Sequence, residues 1–336
     1  MEQSNKKSIS LPKSLRTSSF NSAEGYVSGK GLDDAVEVAL MLGQPLLLTG
    51  EPGTGKTTLA KSIALKYGLK APLIFNAKTT STATDLFYSY NALGHFHDTH
   101  IVRDQELSRE KYINFTALGL AILLSGNPEE VNQYLRPEQR IKSPRKSVVL
   151  IDEIDKAPRD FPNDILHEID KKSFYVRELD KTFSLSNEDY NPIIIITSNS
   201  EKNLPEAFLR RCIFHHIQFP DATILRKIVN KRLALNENFK QKMLTSAIEH
   251  FNEIRQLGVR KKPATAEFLS WVHILEKLEI SLNDRDEEMM GKVAKSYAVL
   301  GKNESDIKKM VDTISNRIKG DEKLKSTQSM SSKSPQ

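Results

Sequence analysis

One cysteine, Cys212, stands in 336 residues, so no internal disulfide framework can staple the fold. No apolar run approaches the eighteen or so residues that a membrane span needs. The opening stretch, MEQSNKKSISLPKSLRTSSF, has no apolar segment of the secretory kind. These absences together set the expectation of a cytoplasmic protein that does not enter a membrane. A basic body is missing as well, although the formal charge is +6. Residues 1–20 carry Lys6, Lys7, Lys13 and Arg16 against Glu2, a net of +3, and residues 316–336 carry five basic residues against two acids, again +3. The rest of the chain is therefore neutral. The excess belongs to two Ser- and Lys-rich tails, 1–20 and 319–336, which read as disordered and solvated. With no basic stripe in the body, nucleic acid is not the expected partner.

What is present is an alternation of apolar bursts and helical patterns. PLLLTG (45–50), PLIFNAK (72–78), SVVLIDE (147–153), NPIIIITSN (191–199) and HHIQFP (215–220) are the strand candidates. The central three are apolar on both faces, as a parallel sheet covered by helices requires. Helical stretches such as GKTTLAKSIALKYG and FPNDILHEIDKK follow strands, which predicts a doubly wound α/β core over 21–221. From 222 to 318 only helical periodicity remains, so a smaller all-helical domain is expected there. The segment from Lys78 to Ser147 is too long for one crossover helix and is read as a structured insertion around 80–140.

The stretch GEPGTGKTT (50–58) fits G-x-x-x-x-G-K-[ST] directly after a strand and at the opening of a helix, the context that gives the motif meaning. Gly50, Gly53 and Gly55 let backbone N–H groups converge on phosphate oxygens, and the intervening Glu51, Pro52 and Thr54 complete the loop. The helix that starts near Lys56 adds its positive end. Lys56 is placed to reach the β/γ-phosphates and Thr57 to ligate Mg²⁺, with Thr58 the last nucleotide-binding candidate of the loop. In VVLIDEID (148–155), four apolar residues end in two acids at a strand's edge. Asp152 is the second candidate magnesium ligand, and Glu153 the group to polarise an attacking water. No N-K-x-D element that reads guanine is present, so ATP is preferred to GTP.

Asn199 ends the fourth strand candidate, where an amide either orients the lytic water or simply forms a turn. Arg210 and Arg211 lie on a short segment between two strands, a costly place for unpaired charge. Their partner is either a phosphate brought from outside or a local acid such as Glu206, four residues before Arg210.

These residues together resemble the AAA+ ATPases and, within them, the MoxR family. The resemblance covers about 21–280 and rests on GYVSGKGLDDAVEVALMLGQPLLLTGEPGTGKT, NAKTTSTATDLFYSYNALGHFHD, VVLIDEIDKAPRDFPNDIL and TSNSEKNLPEAFLRRCIFHHIQFPD. It implies a P-loop NTPase core with sheet order 5-1-4-3-2, a helical lid, a helix-2 insertion and a homo-oligomer, a hexameric ring. By the same resemblance Lys56 and Thr57 are the Walker A pair, Asp152 and Glu153 Walker B, Asn199 sensor 1, and Arg210 with Arg211 the arginine-finger pair. Such proteins hydrolyse ATP to remodel or mature a protein client, often beside a partner bearing a von Willebrand A domain. The chain departs from the family at sensor 2, usually an arginine that starts a lid helix. GVRKKPATAEFLSW offers Arg260, Lys261 and Lys262, and Lys262, before Pro263, is the favoured cation; a solvated basic turn is the other reading.

Some signals are set aside. His95, His97 and His100 lie close in sequence without cysteines and fit a loop better than zinc. Phe87, Tyr88 and Tyr90 fit an aromatic packing cluster better than a substrate grip. Two rival functions stay open at this point: a nucleotide-gated scaffold with little turnover, and a nucleic-acid loader.

Overall fold

The structure is a computed structural model that describes residues 23–101, 108–199, 204–284 and 286–313, without the side chains of residues 100 and 101. Both expected tails, and His100's side chain, lie outside it. Five parallel strands form the central sheet: β1 Leu46–Gly50, β2 Leu73–Asn76, β3 Val148–Asp152, β4 Ile193–Thr197 and β5 Ile213–Ile217. Their spatial order is β2-β3-β4-β1-β5, which is the expected 5-1-4-3-2 read from the other edge. The longer helices are α1 Leu32–Leu42, α2 Lys56–Lys66, α3 Ala92–Ile101, α4 Ala117–Leu124, α5 Ala222–Arg232, α6 Leu244–Gln256, α7 Thr265–Lys277 and α8 Glu287–Ser296.

Strands β1, β3 and β4 are buried almost throughout. They can be apolar on both faces because helices cover both. Residues Leu59, Ala60 and Ile63 of α2 pack with Leu48, Leu150 and Ile195 on one side of the sheet. On the other side α4 is buried along all eight of its residues, in one cluster with Leu47, Val149, Ile151 and Ile196. The sequence reading placed α4 inside the insertion, but it belongs to the core layer. The excursion itself runs from the turn at Ala83–Leu86 to the short strand Ile113–Phe115, which pairs antiparallel with Tyr88–Tyr90.

A second hairpin, Ser173–Val176 with Lys181–Ser184, was not foreseen. It packs on the excursion through an aromatic cluster: Phe174 lies 5.1 Å from Phe87, and Phe183 lies 5.5 Å from Phe115 between ring centres. Phe87 and Tyr88 are buried in this cluster, which favours the packing reading. His95 bonds to the Tyr90 hydroxyl, and His97 faces Asp98 at 3.3 Å.

Residues Phe251, Phe268, Trp271, Val272 and Tyr297 centre a separate core in the C-terminal helices. There the buried Trp271 indole donates to the Ser296 hydroxyl at 2.8 Å, as a buried N–H must find an acceptor. No helix among the described residues is long and apolar enough to cross a membrane.

Gly119 marks the tightest packing of α4. A Cβ there would sit 2.1 Å from the Phe87 carbonyl oxygen, and backbone cannot swing aside as a flexible side chain can. Gly119→Ala should therefore cost at least about 2 kcal/mol, read as a lowered urea midpoint. Gly291→Ala, where an added methyl meets nothing within 4 Å, should not destabilise the protein.

Candidate nucleotide-binding site

The site assembles at the carboxyl edge of the sheet, where ligands of open α/β folds bind. Strand β1 ends at Gly50, and the chain turns through residues 51–55 into α2. Gly50 has φ 141°, and a Cβ there would meet the Ile217 carbonyl oxygen at 2.5 Å, so no other residue fits. Gly53 has φ 76° and lies so close to the lid that a Cβ would come within 2.5 Å of the Ala264 methyl. Gly55, also left-handed, is the N-cap of α2. Pro52 is exposed on the loop and Thr58 lines the cavity beside it.

Lys56 is only 7% exposed. Its ammonium donates to the Gly50 carbonyl at 2.7 Å and the Glu51 carbonyl at 3.1 Å. Burial pushes the Lys56 pKa below the ordinary lysine value, while Asp155, Asp152 and Glu153 draw it back up. The loop thus wraps two of its carbonyls around the ammonium. The Thr54 hydroxyl donates to the same Glu51 carbonyl at 2.9 Å and braces the turn.

Thr57 and Asp152, predicted together as metal ligands, are brought into contact. The Thr57 hydroxyl lies 3.1 and 3.0 Å from the two Asp152 oxygens. Three hard oxygens on two elements suit Mg²⁺, which takes oxygen ligands and keeps several waters. Thr197, which the sequence reading did not single out, donates to Asp152 Oδ1 at 2.6 Å and accepts from the Glu153 N–H at 2.8 Å. A threonine that closes a run of four isoleucines was the available signal, since a buried hydroxyl there needs polar partners.

Glu153 has φ 57° and ψ 49°, a left-handed conformation that costs a non-glycine residue of order 1–3 kcal/mol. The turn carries the chain off β3 and leaves the carboxylate half-exposed. It forms an ion pair with Lys156 and lies 3.5 Å from the Asn199 amide nitrogen. The Asn199 N–H donates to Asp155 Oδ1 at 3.0 Å, so Asp155, the last acid of VVLIDEID, holds the end of β4 in place. Loop, Asp152, Glu153 and Asn199 therefore share one edge.

The remaining candidates sit apart from that edge. Arg210 pairs with Glu206, the local acid that spacing allowed, and Arg211 bonds Asp170 Oδ2 at 2.6 Å and the Ala207 carbonyl at 3.0 Å. Neither has a hydrogen bond to the phosphate loop or to Asp152, Glu153 or Asn199 among the described residues. Lys262 is exposed. The backbone N–H groups of Arg260 and Lys261 donate to Asp306, which ties that basic turn to a helical stretch at 304–313.

Beside the loop a cavity of about 450 Å³ opens between core and lid. Tyr26, Val27, Ile217, Phe219, Ile224 and Leu269 contribute its apolar wall, and Gly53, Thr54 and Gly55 its floor. Those wall residues come from three distant stretches, so no local motif could have named them.

The profile of the AAA domain, dynein-related subfamily, matches residues 45–212. The chain belongs to the AAA domain family. That span runs from the start of β1 to the turn before β5 and contains the loop, Asp152, Glu153, Asn199 and both arginines. A crystal structure of a candidate ATPase from Cytophaga hutchinsonii is similar at 14% identity, with a TM-score of 0.38, over 89% of this chain and 92% of that one. No curated protein matches the chain. The protein is thus an AAA+ ATPase by family, with the nucleotide-binding loop that membership implies.

Lys56→Ala removes the cation that the loop carbonyls surround. Affinity for a labelled ATP analogue should fall at least about tenfold, as expected for loss of a charge-assisted phosphate contact. Equilibrium titration checks this, and circular dichroism should show the fold retained.

Proposed function

We propose that the protein hydrolyses ATP and uses the cycle to remodel or mature a protein client, in the manner of MoxR ATPases. The observation that carries the hydrolytic part is the meeting of Thr57, Asp152, Glu153 and Asn199 at the mouth of the Gly50–Thr58 loop. In this reading the triphosphate lies along the loop and the base enters the neighbouring cavity. Lys56 exchanges its carbonyl partners for phosphate oxygens. Bound Mg²⁺, held by Thr57 and Asp152, would neutralise phosphate charge. Glu153 takes the proton of the water that attacks the γ-phosphorus, and Asn199 orients that water.

Arg210 and Arg211 are exposed, and among the described residues their charge partners are Glu206 and Asp170. Such surface pairs are worth little, so they can be exchanged for a stronger anion. We assign that anion to the γ-phosphate bound by the next subunit of a ring, a hexamer by resemblance. One arginine then acts as the finger and the other holds the interface. A client-bearing partner with a von Willebrand A domain fits the same resemblance.

One observation favours a second reading, a nucleotide-gated scaffold with little turnover. The Glu153 carboxylate is already engaged by Lys156, and a base held in an ion pair is a poor proton acceptor. Phosphate release decides between them. ATPase turnover that Glu153→Gln abolishes, with ATP binding retained, supports hydrolysis. Wild-type turnover no faster than that of Glu153→Gln supports the scaffold.

The subunit interface has its own test. Arg210→Ala or Arg211→Ala should lower turnover by about 10³-fold or more, as arginine fingers do, while each still binds ATP. Mixing such a variant with Lys56→Ala should restore part of the activity, because intact half-sites then meet across an interface. No recovery on mixing would place the arginines elsewhere.

A further inference from the structure

Four pieces of the protein meet at Arg255, near the end of α6. Its Nη2 lies 2.6 Å from Glu51 Oε2, its Nη1 donates to the Pro263 carbonyl, and its guanidinium carbon sits 3.4 Å from the centre of the Phe219 ring. Glu51 belongs to the phosphate loop, Phe219 to the passage from β5 into the lid, and Pro263 to the turn before α7. The arginine side chain is a tenth exposed, and that of Glu51 somewhat under half.

The charge at this position is expensive. An apolar side chain could pack on Phe219 without the desolvation that a guanidinium suffers. What only a cation supplies is neutralisation of Glu51. Glu51 sits in the one segment that must accept a polyanion, and an uncompensated carboxylate there repels triphosphate. Its other end matters equally, because the Glu51 carbonyl accepts from the Lys56 ammonium and the Thr54 hydroxyl. A single loop residue therefore touches the lid through its carboxylate and the phosphate-binding lysine through its backbone.

We infer that Arg255 is the lid's positioning residue for the phosphate loop: it cancels the Glu51 charge, holds the loop's first turn, and thereby couples the lid to nucleotide affinity. It acts through Glu51, not by touching phosphate. The lid cations foreseen from sequence lie elsewhere, with Lys262 exposed and the Arg260 and Lys261 backbones tied to Asp306. The inference rests on the nucleotide-binding reading above.

The test is equilibrium binding of labelled ATP to the full chain and three variants. Arg255→Gln should weaken binding about tenfold, within the range of coupling between linked sites. Glu51→Gln should bind at least as tightly as wild type. The double variant should recover to within about threefold of wild type, since the repulsive charge is gone. In turnover the Arg255→Gln effect should fall on KM rather than kcat. A purely structural arginine gives a different pattern, because removing Glu51's charge would not repair lost contacts with Phe219 and Pro263. Unchanged affinity in Arg255→Gln overturns the inference, as does a double variant as weak as the single one. If Arg255→Gln does not fold, Glu51→Gln still decides, for weaker binding in that variant overturns the idea. Wild-type protein that binds no nucleotide would remove the ATPase reading and this inference together, whereas wild-type binding with uncoupled variants removes this inference alone.

Discussion

A buried ammonium has to be satisfied, and among the described residues Lys56 finds its acceptors in the carbonyls of its own loop. That arrangement constrains everything around it. The loop must curl tightly enough to present its oxygens inward, which forces left-handed backbone at Gly50, Gly53 and Gly55. It must also stay open enough for its N–H groups to receive an anion, which forbids side chains at the closest approaches. Ile217 of β5 and Ala264 of the lid press against Gly50 and Gly53 respectively, so the loop is shaped from the sheet and from the lid at once.

The acids at the edge answer the same cation. Asp155, Asp152 and Glu153 raise the Lys56 pKa that burial lowers, and each is held by a different neighbour. Thr197 and Thr57 bond Asp152, the Asn199 backbone bonds Asp155, and Lys156 pairs with Glu153. The left-handed turn at Glu153 separates these roles: Asp152 stays with β3 beside Thr57, while the next carboxylate swings toward Asn199. Backbone strain at that residue is compensated by the Thr197 hydroxyl, which accepts its N–H. In the proposed reaction, adjacent residues thus serve metal binding and proton acceptance without competing for one place.

Two cores meet over the loop rather than beside it. The lid core around Trp271 is independent of the sheet's clusters, yet α7 begins at Ala264 against Gly53, and Arg255 reaches Glu51. The cavity is bounded by both parts, so its dimensions depend on how the lid sits. The proposed link between nucleotide affinity and lid position has that geometric basis.

The sequence by itself determined the sheet strands, the phosphate loop and the two acids that follow β3, because each is a local pattern with one physical solution. Five apolar bursts separated by helical periodicity leave little choice but a covered parallel sheet, and glycines between a strand and a helix announce an anion site. Hairpin Ser173–Ser184 was missed because its apolar alternation is only two residues deep, and α4 was assigned to the insertion because an all-apolar helix carries no directional signal. Tertiary structure alone decided the partners of Asp152, the cavity walls and the cation that meets the loop. Thr57 and Asp152 are 95 positions apart and Glu51 and Arg255 204 apart, and no periodicity spans such distances. Lys262 was the favoured expectation before a helix start and is exposed in the turn at 258–264, whereas Arg255, one helix earlier, is the residue that the packing of α6 on Phe219 brings to the loop.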